Sequence, residues 1–128
     1  GSLKIHGVDI PLKKTPLLYY AWYAIKRLNS DGWVINPRSN KPEFEAVEEL
    51  VNLMQKFCGH GRAISDLEGT GLKARTLDQN RSKIKDEIIA ALGESLAIPY
   101  LFQTRKDYDS GRMSYRLTLP KAQLKIVT

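Results

Sequence analysis

Apolar residues recur at helical spacing in three stretches of this chain and alternate with polar residues near both ends. Leu3-Lys4-Ile5 and Val8-Asp9-Ile10-Pro11-Leu12 alternate around His6-Gly7, the pattern of a short hairpin. Thr15-Pro16 then opens a first helix, with threonine as N-cap and proline at the first helical position. Leu17, Ala21, Ala24, Ile25 and Leu28 make its inward face. Tyr19, Tyr23 and Lys26 fall on the outer side at i, i+4 and i+7, read either as an interface or as packing under a later segment. Lys26 and Arg27 stand in the last turn, where cations complement the helix dipole. Asn29-Ser30-Asp31-Gly32 ends the helix, and Trp33-Val34-Ile35 is a brief strand.

A loop from Pro37 to Pro42 leads to a second helix over Glu43 to Phe57. There Phe44, Val47, Leu50, Val51, Met54, Phe57 and Cys58 recur at helical spacing, with acids in the first turn and Gly59 at the end. Residues 60–75 are glycine-rich, with room for one short helix over Ala63 to Glu68. Thr76 caps a third main helix that Leu92-Gly93 closes. With Leu77 as angular origin, Ile84, Ile88 and Ala91 lie within about 40° of it at 100° per residue. Gln79, Ser82, Lys83 and Asp86 lie opposite, with Lys85 at the border. A narrow apolar seam with polar donors on the far side suits a helix packed on a domain and offered to nucleic acid, or simply a solvated face. After Pro99, Tyr100 to Arg105 reads as a strand and Asp107 to Gly111 as a turn. Met113, Tyr115, Leu117 and Leu119 then alternate with Ser114, Arg116 and Thr118 in a half-buried strand, and Gln123 to Val127 adds one more.

A length of 128 residues fits one domain with a real core, and 42% hydrophobic with 27% charged residues sets it apart from a disordered tail. No apolar run reaches the ~18 residues of a membrane span, and no signal peptide is visible, so the expected location is the cytoplasm. Cys58 is the sole cysteine and forms no internal disulfide, in keeping with a reducing compartment. Gly1-Ser2, without an initiating methionine, is read as a cloning scar, and residues 3–128 as a single domain of a longer protein.

Twenty basic residues against 14 acidic give a net charge of +6, which favours polyanionic partners. The charge is also segregated: Glu43, Glu45, Glu48 and Glu49 cluster in one stretch, while residues 101–128 hold six Lys/Arg against two Asp. Sharper chemistry finds no support. Gly59-His60-Gly61 and Gly69-Thr70-Gly71 lack the Gly-Lys-Ser/Thr that a phosphate loop places before its helix. His6, Cys58 and His60 lack the number and spacing for zinc, and no nucleophile–base pair can be assembled, so no cofactor, metal or catalytic residue is assigned.

Strands, helix, short strand, helix, variable segment, helix and hairpin make up an α+β winged helix-turn-helix plan. It has three main helices, an N-terminal β-hairpin and a C-terminal β-hairpin wing. Across roughly residues 3–119 the chain resembles the DNA-binding effector domains of bacterial two-component response regulators of the OmpR/PhoB type. Ile5 to Leu18 resembles their opening strand, glycine turn, strand, leucine-threonine step and leucine-rich helix. Leu77-Asp78-Gln79-Asn80-Arg81-Ser82-Lys83-Ile84-Lys85 is similar to their recognition helix, with lysine for arginine twice, and Ser114-Tyr115-Arg116-Leu117 to their last hairpin strand. Two departures stand out. Pro37 to Arg75 is longer than such domains need, and Arg81 occupies an apolar position of the pattern, to be paired with an acid or left at an exposed helix end.

The reading that follows is the DNA-binding output domain of a bacterial transcriptional or signalling regulator, not an enzyme, with helix 76–92 in the major groove of double-stranded DNA and hairpin 100–119 as the wing. Gln79, Asn80, Ser82, Lys83 and Asp86 face the groove, and the polar ones read base edges. Lys83, Lys85 and Arg75 serve phosphates, and Arg105, Lys106 and Arg112 serve the wing. A second copy of the chain, or an N-terminal sensor domain of the same protein, is a further partner under this reading. The alternative is a winged-helix protein-interaction or dimerisation module without DNA binding, suggested by Arg81, the long middle segment and the outward tyrosines.

Overall fold

Alternating segments become strands and periodic segments become helices in the computed structural model, which describes residues 3–38, 40–57 and 61–119, with the backbone alone for 57 and 61–63. Strands β1 (Leu3–Ile5) and β2 (Val8–Ile10) pair antiparallel. His6 and Gly7 between them both take positive φ, 52° and 77°, as a two-residue hairpin loop requires. Ile5 and Ile10 turn into the core while Val8 stays exposed.

Helix α1 (Lys14–Asn29) starts two residues earlier than Thr15-Pro16 suggests. Lys13 is its N-cap without a side-chain bond, and Thr15 lies inside the first turn. Pro16 costs no hydrogen bond there, because the first N–H groups of a helix have no helical acceptor. The inward face also differs. Tyr19 and Tyr23, expected on the outer side, are among the most buried side chains of the protein, with Leu18, Tyr20, Trp22 and Ala24 beside them. Leu17, Ala21, Ile25 and Leu28, expected inward, are only half-buried. The cause is position: α2, α4 and the larger sheet all pack on α1, so most of its circumference is covered. Rings fill that space edge to face, with Trp22–Tyr23 centroids 5.1 Å and Tyr23–Phe102 centroids 4.9 Å apart.

Two helices follow a short strand. Strand β3 is Val34–Ile35, helix α2 is Val47–Phe57 and helix α3 is Gly61–Thr70. Helix α2 starts four residues later than Glu43 because Glu43 is held extended by a two-way backbone bridge to Leu72, at 3.0 and 2.7 Å. Gly71 makes that bridge feasible: its φ is +79°, and a Cβ there would meet the Glu43 carbonyl and the Phe44 ring at 3.0 Å.

Helix α4 (Ala74–Leu92) begins at a Lys73 N-cap, three residues before Thr76, and ends as expected at Gly93 with φ +82°. Leu77, Ile84 and Ile88 are fully buried, as the seam predicts, and α4 packs mainly on α1, β2 and the short α5 (Glu94–Ala97). A turn of 3-10 helix, Ile98–Tyr100, leads to β4 (Phe102–Lys106) and β5 (Met113–Leu117). These pair antiparallel from Phe102↔Leu117 to Lys106↔Met113, and β3 pairs with β5 on its other side, giving the order β3-β5-β4. Leu117 and Leu119 are buried as expected, whereas Met113, at the far end of the hairpin, is exposed.

The fold is thus α+β. Among the described residues it has five helices where three were expected, with an N-terminal hairpin and a three-stranded C-terminal sheet. The strand expected over Gln123 to Val127 lies outside the described residues. No described helix is long and apolar enough to cross a membrane.

The buried phenols make stability depend on alkaline pH. Burial, with Tyr19 beside Tyr23 and Tyr100 beside Tyr20, raises the Tyr19 and Tyr20 hydroxyls well above the ordinary phenol value. Burial also pushes Tyr23 up to about 12, although the Arg81 guanidinium pulls the other way. Each folded-state pKa lies above the unfolded value of 10, so the native state holds the proton more tightly. Their contribution is whole below about pH 10 and is lost as pH rises toward 12 and beyond. Urea midpoints should hold level across pH 8–10 and fall steeply above it; a flat profile to pH 12 would mean these phenols are solvated.

Candidate nucleic-acid interface

The outward side of α4 follows from its inward one. With Leu77, Ile84 and Ile88 locked into the core, Arg75, Gln79, Ser82, Lys83 and Asp86 are all exposed, and Lys85 is exposed on the flank toward β4. Asn80 differs from its expected role. It is only 7% exposed, and its side-chain amide donates to the Thr76 carbonyl at 2.8 Å. That bond turns it back along its own helix, away from any base edge.

Arg81 resolves the odd position in the seam. It is 7% exposed, and its guanidinium donates to Tyr23 Oη at 2.9 Å, to Asn36 Oδ1 at 3.0 Å and to the Asp78 carboxylate. Its Cζ also lies 3.5 Å from the centroid of the Tyr115 ring. Asn36 closes the set by donating from Nδ2 to Asp78 at 2.9 Å. One side chain of α4 is therefore bonded or stacked to α1, to the residue after β3, and to β5. A fork of five donors suits such a hub where a single ammonium would not.

Between α4 and β4 an open cleft of about 760 Å³ runs past Ser82 and Lys85 on one wall and Phe102, Thr104 and Tyr115 on the other, with Arg81 among its lining residues. The hairpin beyond it is closed by Asp107, whose carboxylate accepts from the Asp109 N–H at 3.2 Å and from Ser110 Oγ at 2.8 Å. Tyr108, at the tip, is 92% exposed.

The three basic residues assigned to the hairpin are separated. Lys106 is exposed at the end of β4. Arg112 is half-buried: its Nε donates to the Asn36 carbonyl at 2.9 Å, and its guanidinium lies 3.6 Å from the Glu43 carboxylate. It braces the base of the hairpin and does not project from the tip. Arg105 lies on the opposite face of the strand from Thr104, its Cζ 4.2 Å from the centroid of the Trp33 ring.

Sequence reasoning missed Asn36 and Tyr108 and left the partners of Arg81 open. An arginine inside an apolar seam does signal a partner, and the acid Asp78 lies three residues earlier on the same helix, but its other partners come from positions 23, 36 and 115 and carry no local pattern. Compared with protein family models, curated proteins and solved structures, the chain matches none of them.

Proposed function

We propose that the chain is a winged helix-turn-helix domain that binds double-stranded DNA, the output module of a bacterial transcriptional or signalling regulator. The observation that carries this reading is the join between α3 and α4. Three residues, Gly71-Leu72-Lys73, separate the two helices, and the second helix presents an uninterrupted polar face. A short turn with a glycine is what a helix-turn-helix uses before the helix that enters the major groove. The sheet order supports the winged form: the strand after the first helix pairs with the last strand of the hairpin, and the hairpin's first strand shares a cleft with α4. It also accords with the resemblance to OmpR/PhoB-type effector domains.

On this reading the exposed Gln79 and Ser82 read base edges, and the exposed Arg75, Lys83, Lys85 and Lys106 hold phosphates. The cleft beside Lys85 gives a sugar-phosphate strand a course between helix and hairpin. Burial of Tyr19 and Tyr23 removes one support of the interaction-module alternative, and the paired state of Arg81 removes another.

Lys83→Ala with Lys85→Ala should weaken duplex binding and flatten the slope of log affinity against log salt by roughly 1.8, at about 0.9 per phosphate contact. Gln79→Ala should change sequence preference with little change in that slope. Anisotropy titrations on genomic fragments across a salt series read both effects. Equal binding by the double lysine variant and the parent would remove α4 as the DNA-contacting element.

A further inference from the structure

The outer face of the β3-β5-β4 sheet carries a second basic cluster. Strand alternation turns Phe102, Thr104, Tyr115 and Leu117 toward α1 and α4, and turns Arg105 and Arg116 to the other side. There both guanidiniums lie over one ring, Trp33, with Cζ atoms 4.2 Å and 4.5 Å from its centroid. Arg27, from the last turn of α1, joins them. Its Nη1 and that of Arg116 donate to the same Asp31 carbonyl oxygen, at 2.9 and 3.0 Å. Those two cationic nitrogens are therefore no farther apart than 5.9 Å, the sum of the two bonds.

Like charges held this close repel unless an anion answers them. Among the described residues none of the three arginines forms an ion pair, and the one carboxylate felt by Arg116 is that of Asp31. Partial desolvation, then Arg27 and Arg105, hold the Arg116 guanidinium below its ordinary value. The groups are also pre-positioned. Arg27 Nε donates to the Leu119 carbonyl at 3.0 Å and Arg116 Nε to Gln103 Oε1 at 2.7 Å, while Trp33 seats Arg105 and Arg116. Each therefore loses little side-chain freedom when an anion arrives.

We propose that Arg27, Arg105 and Arg116 around Trp33 form a second nucleic-acid contact, gripping the phosphate backbone of duplex DNA on the face of the sheet turned away from α4. The site deepens the DNA-binding reading and rests on it for the identity of the polyanion. Consecutive phosphates on one strand stand about 3.4 Å apart along the axis, so a cluster this tight meets two of them at once. The contact is sequence-blind, because guanidiniums fixed on a sheet face reach phosphate oxygens and no base edges.

Trp33 supplies the readout. Trp22 is buried at 1% exposure and Trp33 is half-buried in the cluster, so a change in indole emission on adding ligand reports Trp33. The full chain is titrated with a random-sequence duplex and, separately, with polyglutamate. The parent should change emission with the duplex, and Trp33→Phe should abolish the change. Arg105→Gln with Arg116→Gln should flatten the salt slope by about 1.8 and leave sequence preference intact. Arg105→Gln alone, at an exposed residue stacked only on Trp33, should flatten it by about 0.9 and melt like the parent. If the arginine variants bind as the parent does while the Lys83/Lys85 variant is weakened, this inference fails and the α4 reading stands. If the arginine variants are weakened and the lysine variant is not, the outer face is the DNA contact and the α4 reading fails. Emission that responds to polyglutamate and not to duplex assigns the face to an acidic protein and overturns the proposal.

Discussion

Ile84→Ala and Ile88→Ala should each lower the free energy of unfolding by about 2–5 kcal/mol. Both side chains are fully buried on the face of α4 that packs against α1 and β2. Truncation removes their transfer free energy and leaves a cavity that the aromatic face of α1 fills poorly, since rigid rings relax less than aliphatic chains. A domain of this size has about 5–15 kcal/mol of stability in all, so one truncation consumes a large share of it. Denaturant melts should show lower midpoints at unchanged slope. Melts that overlay the parent would mean that the seam of α4 faces solvent.

Arg81→Ala should cost about 3–5 kcal/mol although Arg81 is a charged residue on a helix that also carries exposed lysines. Its removal strands Tyr23 Oη and Asn36 Oδ1 inside the protein, at about 1–3 kcal/mol for each unpaired polar group, and empties the space against Tyr115. Arg81→Met refills the space but leaves both oxygens without a donor, and should recover less than half of the loss. Asp78→Ala should cost about 1 kcal/mol or less, because the Asp78 side chain is 55% exposed and water replaces its bonds. That asymmetry is the test. Equal losses at Asp78 and Arg81 would show an ordinary surface ion pair in place of a buried hub.

The candidate site was legible where it depends on one helix. The spacing of Leu77, Ile84 and Ile88 settles which way α4 faces, and with it the exposure of Arg75, Gln79, Ser82, Lys83 and Lys85. Asn80 does not share that exposure: at 100° per residue it lies about 60° from Leu77, on the seam side, and its amide bonds the carbonyl four residues earlier. Arg105, Lys106 and Arg112 looked alike as hairpin cations. Alternation sends Arg105 to the outer face, and the carbonyl of Asn36 and the carboxylate of Glu43 hold Arg112 at the hairpin's base.

Local chemistry determined the N-terminal hairpin around His6-Gly7, the end of α4 at Gly93 and the pairing of the two C-terminal strands. Each rests on period or on a backbone angle that neighbouring residues set. Tertiary structure decided the rest. The aromatic face of α1 is inward because three elements close on it, and no periodicity within residues 14–29 records how many neighbours a helix will have. Helix α2 starts at Val47 because Leu72, 29 positions after Glu43, holds that residue extended. The residues that cover a helix face or pair a buried guanidinium lie far away in sequence, and only packing brings them together.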